Sequence, residues 1–149
     1  MYFYRIFAIF ALISIFILTN NEISAQSYVM NSTPITTCSG TWTDPGGPNN
    51  YSNYQNITQT ITATSGQLRI TFNSFRTESN YDWLEIYDGS NTNAPSLGRY
   101  DGNDNPGTIT ATGSSLTFVF HSDGSINYEG WSATISCYDP TPTAMTLPT

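Results

Sequence analysis

An antiparallel β-sandwich is the fold class that the 149-residue chain predicts, and three observations carry that expectation. Apolar residues recur with period two, short Gly, Asn, Ser and Pro clusters interrupt them, and no segment carries a helical stripe. Ser, Thr, Asn, Gly and Tyr dominate the composition, whereas lysine is absent and Leu and Glu are few. Such a chain favours short strands and tight turns over helices.

The first segment, residues 1–25, has the pattern of an export signal. Arg5 gives a positive start, Ile6 to Leu18 is an apolar run broken only by Ser14, and small Ala25 precedes the expected cut. The run is shorter than the roughly 20 residues a spanning helix needs, so a cleaved signal is preferred to a membrane anchor. No cysteine lies beside Ala25, which argues against a lipid anchor. A secreted protein with no membrane insertion of the mature chain is therefore expected.

Residues 26–37 read as a polar lead, residues 38–138 as the folded domain, and residues 139–149 as a Pro/Thr-rich linker or tail. Within the domain, Pro45-Gly46-Gly47-Pro48 marks a loop. Strands follow at 57–63, at 68–72 with Leu68, Ile70 and Phe72 in phase, and at 84–87, ended by the Asp88-Gly89 turn. Shorter strands are expected near 97–100 and 107–110. Leu116, Phe118 and Phe120 make the clearest inward row, and Trp131, Ala133, Ile135 and Cys137 the last.

Charge narrows the function classes. Eleven acids against four arginines give a formal net charge of −7. That balance repels phosphate backbones and excludes nucleic acid as the natural partner, while attracting divalent cations and basic protein surfaces. Acidity that merely keeps a secreted protein soluble is the plainer alternative.

Asp82 shares phase with Leu84 and Ile86, so alternation turns it toward the interior. A carboxylate there needs hydrogen bonds, a cation or a metal. Glu78 lies nearby in sequence, and Asp123, in the "HSDGS" turn, can complete an oxygen-lined site. Hard oxygen donors of this kind suit Ca2+. Solvated loop acids are the alternative.

Cys38 and Cys137 bracket the domain, and export makes a disulfide between them plausible, with two buried thiols as the alternative. "DGNDNPG", residues 101–107, has Asp101, Asn103 and Asn105 at alternate positions, like the start of an EF-hand loop, but Pro106 replaces its glycine and flanking helices are missing, so it reads as a turn. Catalysis finds no constellation. His121 is the only histidine, and Ser122 and Asp123 are merely its chain neighbours. Trp83 and Tyr87 share the outward phase and offer the rival reading, a carbohydrate-binding module that stacks sugars. A purely structural or adhesion domain without metal is a third. Sequons stand at Asn31, Asn50 and Asn56.

Several segments, in order, resemble a CUB domain across Cys38 to Cys137. They are the Pro/Asn/Tyr-rich opening "CSGTWTDPGGPNNYSNYQN", the Phe72, Phe75, Glu78 spacing, "YDWLEIYDG", "LGRYDG", "SLTFVFHSD" and "YEGWSATIS". The resemblance implies a jelly-roll-like β-sandwich acting in non-catalytic extracellular recognition. Its calcium-binding branch implies Glu78, Asp82 and Asp123 as metal ligands, with Tyr51 or Tyr54 supporting a carboxylate and the Ser125 or Ile126 backbone adding a carbonyl. It also implies a protein or glycan partner, a protein docking a basic residue on the acidic rim. Two departures stand out. The family's two local disulfides are missing, their expected positions falling near Ile57 and near Ser79 and Asp101. The Glu78 to Asp82 segment is also shorter than the family's usual loop.

Overall fold

A computed structural model describes residues 26–140; the predicted signal and the tail beyond residue 140 fall outside it. Ten strands make up this region: β1 (Ser27–Val29), β2 (Ile35–Thr36), β3 (Ser39–Thr43), β4 (Asn56–Thr62), β5 (Gln67–Arg76), β6 (Trp83–Tyr87), β7 (Ser96–Asp101), β8 (Thr108–Thr110), β9 (Ser115–His121) and β10 (Gly130–Tyr138). They form two five-stranded sheets, ordered β1-β3-β10-β5-β8 and β2-β4-β9-β6-β7. The all-β sandwich is as expected from the sequence, but the sheets are mixed rather than purely antiparallel. The polar lead adds β1 parallel to β3 and β2 parallel to β4, one edge strand to each sheet.

Period-two alternation fills the space between the sheets. Trp42, Leu68, Ile70, Phe72, Ala133 and Ile135 face in from one side, and Ile61, Leu84, Ile86, Leu116, Phe118 and Phe120 from the other; all are buried. Trp42 sits at the centre, its ring against Phe72, Phe118 and Trp131. Gln59 occupies an inward position in β4 and is fully satisfied. It accepts from Trp42 Nε1 at 2.9 Å and donates to the Thr33 carbonyl at 2.7 Å, which removes the cost of burying its amide.

Simple alternation fails towards the end of β5. Phe72 and Phe75 are three residues apart yet both point inward. Opposite them, Ala133 pairs with Phe72 and Ser132 with Ser74, so Asn73 is an extra residue in β5. That β-bulge rotates the end of β5 by one face, seats Phe75 on Trp131, and aims the following chain across the end of the sandwich.

Cys38 and Cys137 are joined, with Cα atoms 4.9 Å apart across a sequence separation of 99. The bond ties the start of β3 to the end of β10. The loops after β3, β5 and β9 and the start of β6 gather at the opposite end.

Candidate metal centre

Two loops deliver the acids to that end, one joining β5 to β6 and one following β9. Glu78 follows the bulged strand β5, Asp82 immediately precedes β6, and Asp123 follows β9. One carboxylate oxygen from each lies within 4.8 Å of the others. Asp82 is 0% exposed, while Glu78 and Asp123 are half-buried.

The short Glu78 to Asp82 segment closes as a tight turn. The Asp82 and Tyr81 amides both donate to the Glu78 carbonyl, and Asn80 takes a positive φ of 69°. Thr77 braces the turn, its hydroxyl donating to the Asp82 carbonyl at 2.9 Å and accepting from the Gly102 amide at 2.9 Å. The Asn80 amide donates to Asp101 Oδ2. Ser79 meanwhile lies against Gly102, where an added Cβ would come within 3.1 Å of the Ser79 Cβ. Hydrogen bonds thus join the two segments at which the missing second disulfide was expected.

Asp82 is held by two donors. Tyr51 Oη–H donates to its Oδ2 at 2.6 Å, and the Asp123 amide to its Oδ1 at 2.7 Å. Tyr51 in turn accepts from the Glu78 amide at 3.1 Å, so one buried phenol links two of the acids. Burial and the bond to Asp82 push the Tyr51 hydroxyl well above its ordinary value, keeping it a donor. Tyr51, not Tyr54, is therefore the tyrosine beside the carboxylates; Tyr54 lies outside, over Gly124. Ser125 turns its amide onto Asp123 Oδ1 at 2.9 Å.

Electrostatically the cluster is unfinished. Glu78 Oε2 is buried without a hydrogen-bond partner. Partial burial, then the charges of Asp123 and Asp82, raises the Glu78 carboxyl above its usual range. Arg69 donates to Thr110 and covers Tyr138, Arg76 pairs with Glu129, and Arg99 pairs with Glu85. All three arginines of the described region are engaged elsewhere. Oxygens on a cation with 2.3–2.6 Å bonds stand at most about 5 Å apart, so the spacing fits Ca2+.

A second buried acid escaped the sequence reading. Asp44 follows β3, is 0% exposed and has one oxygen, Oδ2, without a partner. Its Oδ1 accepts the Gly46 amide at 2.7 Å, and burial lifts its carboxyl to about 6. Asp44 is in phase with buried Trp42, the one signal that pointed inward. It packs on Gly130, whose φ of 66° and missing side chain leave room for the carboxylate.

The predicted sugar platform has no open tryptophan face. Arg99 lies 3.8 Å over the Trp83 ring, and His121 stacks on it at 5.3 Å from the strand on the other side. His121 Nδ1 also hydrogen-bonds Asn56 Oδ1 at 2.8 Å.

Comparison with known proteins matches a family model, described as CUB domain, to residues 31–135. The chain belongs to the CUB domain family. Tolloid-like protein 2 of Mus musculus is 39% identical over 104 residues, which cover 66% of this chain and 10% of that protein. Neuropilin-1 of Gallus gallus is 36% identical over 112 residues, 68% of this chain and 12% of that one. This CUB domain therefore spans about a tenth of such relatives. Among solved structures, the MASP-1 CUB2 domain bound to Ca2+ superposes with a TM-score of 0.62 at 26% identity, covering 72% of this chain and 99% of that one.

Proposed function

We propose that this CUB domain is a secreted, non-catalytic recognition module that binds Ca2+ through Glu78, Asp82 and Asp123 and docks a basic residue of an extracellular protein on that rim. Residues 1–25 would direct its export. The observation that carries this reading is the convergence of three carboxylates, one oxygen of each within 4.8 Å of the others, with Glu78 Oε2 buried without a partner. The similar MASP-1 domain bound to Ca2+ supports the choice of ion. Calcium in such a site cancels the repulsion among the acids and fixes the Glu78–Asp82 turn against the loop after β9. Tyr51 and the Asp123 amide hold Asp82 in place and leave the half-buried acids to meet solvent and partner. No helix of the described residues is long and apolar enough to cross a membrane. The covered faces of Trp83 leave the sugar-stacking alternative without its platform.

Differential scanning of the purified domain with calcium or chelator tests the reading. At Kd ~0.1 mM and ~2 mM ion, linkage gives about 1.8 kcal/mol and a Tm higher by several degrees. Asp82→Ala, with its fold checked by near-UV circular dichroism, should lose that response. A wild-type melting curve indifferent to chelator would sink the proposal.

A further inference from the structure

Three non-glycine residues of the described region have positive φ, and all three border the acid cluster: Tyr54 at 59°, Asn80 at 69° and Ile126 at 55°. Asparagine tolerates this region; a β-branched isoleucine does so only under strain. Two of the three also expose large apolar side chains, Tyr54 at 78% and Ile126 at 55%, and Tyr81, beside Asp82, is 58% exposed. Each is tied to an acid. The Tyr54 amide donates to the Asp123 carbonyl at 2.7 Å, the Tyr81 amide donates to the Glu78 carbonyl, and Ile126 follows Asp123 by three residues in the loop after β9. Gly124 makes room for Tyr54, since any Cβ there would collide with the tyrosine ring. Strained backbone that presents apolar surface to water persists where it serves contact.

We infer that Tyr54, Tyr81 and Ile126 form an apolar rim around the acidic site, and that the rim selects a protein segment whose basic residue is flanked by apolar side chains. This rests on the calcium reading above. A lysine suits such a site well, because its methylene stem can lie along an aromatic ring while the ammonium meets the carboxylates. Charge complementarity points to a basic partner, given the net charge of −7. A second copy of this chain does not fit, because it has no lysine and the arginines of its described region are engaged.

Two synthetic peptides test the inference by calorimetry in calcium: one lysine flanked by Phe and Leu, and one flanked by two Ser. The apolar-flanked peptide should bind roughly tenfold tighter, the worth of burying a modest apolar area. Tyr54→Ser should erase that preference. Ile126→Gly should weaken the apolar-flanked peptide while leaving Tm unchanged or a few degrees higher, because glycine relieves the strained φ. A side chain that served only folding would lower Tm instead. Equal binding of both peptides, binding of neither, or full affinity in both variants overturns the inference. Loss of the calcium response in wild type would overturn the metal reading instead, so the two failures are distinguishable.

Discussion

The two ends of the sandwich differ in how completely their groups are satisfied. At one end, the Cys38–Cys137 disulfide joins β3 to β10, and the neighbouring strands run in continuous register. At the other lie all three buried side-chain atoms found without partners among the described residues, on Asp44, Glu78 and Trp131, together with all three positive-φ non-glycine residues of that region. Both carboxyls raised by burial are there too. Stability is concentrated at the covalent end and the middle of the core, which lets the loop end carry unfavourable charge and strain. Regions that bind commonly have that character.

The comparison breaks most visibly at the disulfide. Cys38→Ser with Cys137→Ser should cost about 4 kcal/mol on the chain-entropy view, read as a large fall in urea midpoint, yet leave the calcium response of the surviving fold intact. Loss of both together would show that the ends are not independent.

Asp44 should give the next largest effect, with opposite sign. Its carboxyl is raised in the folded state, from 3.8 to about 6, so the stability it contributes is present below 3.8 and lost as pH rises through about 6. Asp44→Asn removes the charge while keeping an acceptor for the Gly46 amide. It should stabilise the domain by roughly 2–3 kcal/mol at neutral pH and flatten the fall in Tm between pH 4 and 7. Thermal melts across that range check both.

A smaller change sharpens the role of Tyr51. Tyr51→Phe keeps the ring packed on Phe120 but strips a donor from Asp82 and an acceptor from the Glu78 amide. A loss of about 1–2 kcal/mol and a weaker calcium affinity by titration calorimetry are expected.

Most of the core was legible because period two survives wherever one face is buried. Asp82, Leu84 and Ile86 show it, and so do Leu116, Phe118 and Phe120. The edge strands β1 and β2 were not legible. They are two or three residues long and join their neighbours through backbone bonds, which leave no side-chain pattern. The bulge at Asn73 breaks alternation, so only the Phe72, Phe75, Glu78 spacing hinted that both rings turn inward. The acids themselves stood out in sequence through phase and turn position. Which tyrosine would reach Asp82 did not, because Tyr51 and Tyr54 share one irregular loop and only the three-dimensional path separates them. Asp44 hid in a Pro/Gly-rich loop, where alternation is easily discounted.

The most direct measurement is the melting temperature of wild type and Glu78→Gln, each in chelator and in calcium at neutral pH. Glu78 has a raised carboxyl in the folded state, so the stability it contributes is lost as pH rises through that value, and its charge burdens the metal-free domain. Removing the charge should make the variant the more stable protein in chelator. With calcium the order should reverse, wild type rising by several degrees and the variant by far less. The same ranking in both conditions would contradict a cation held by this cluster.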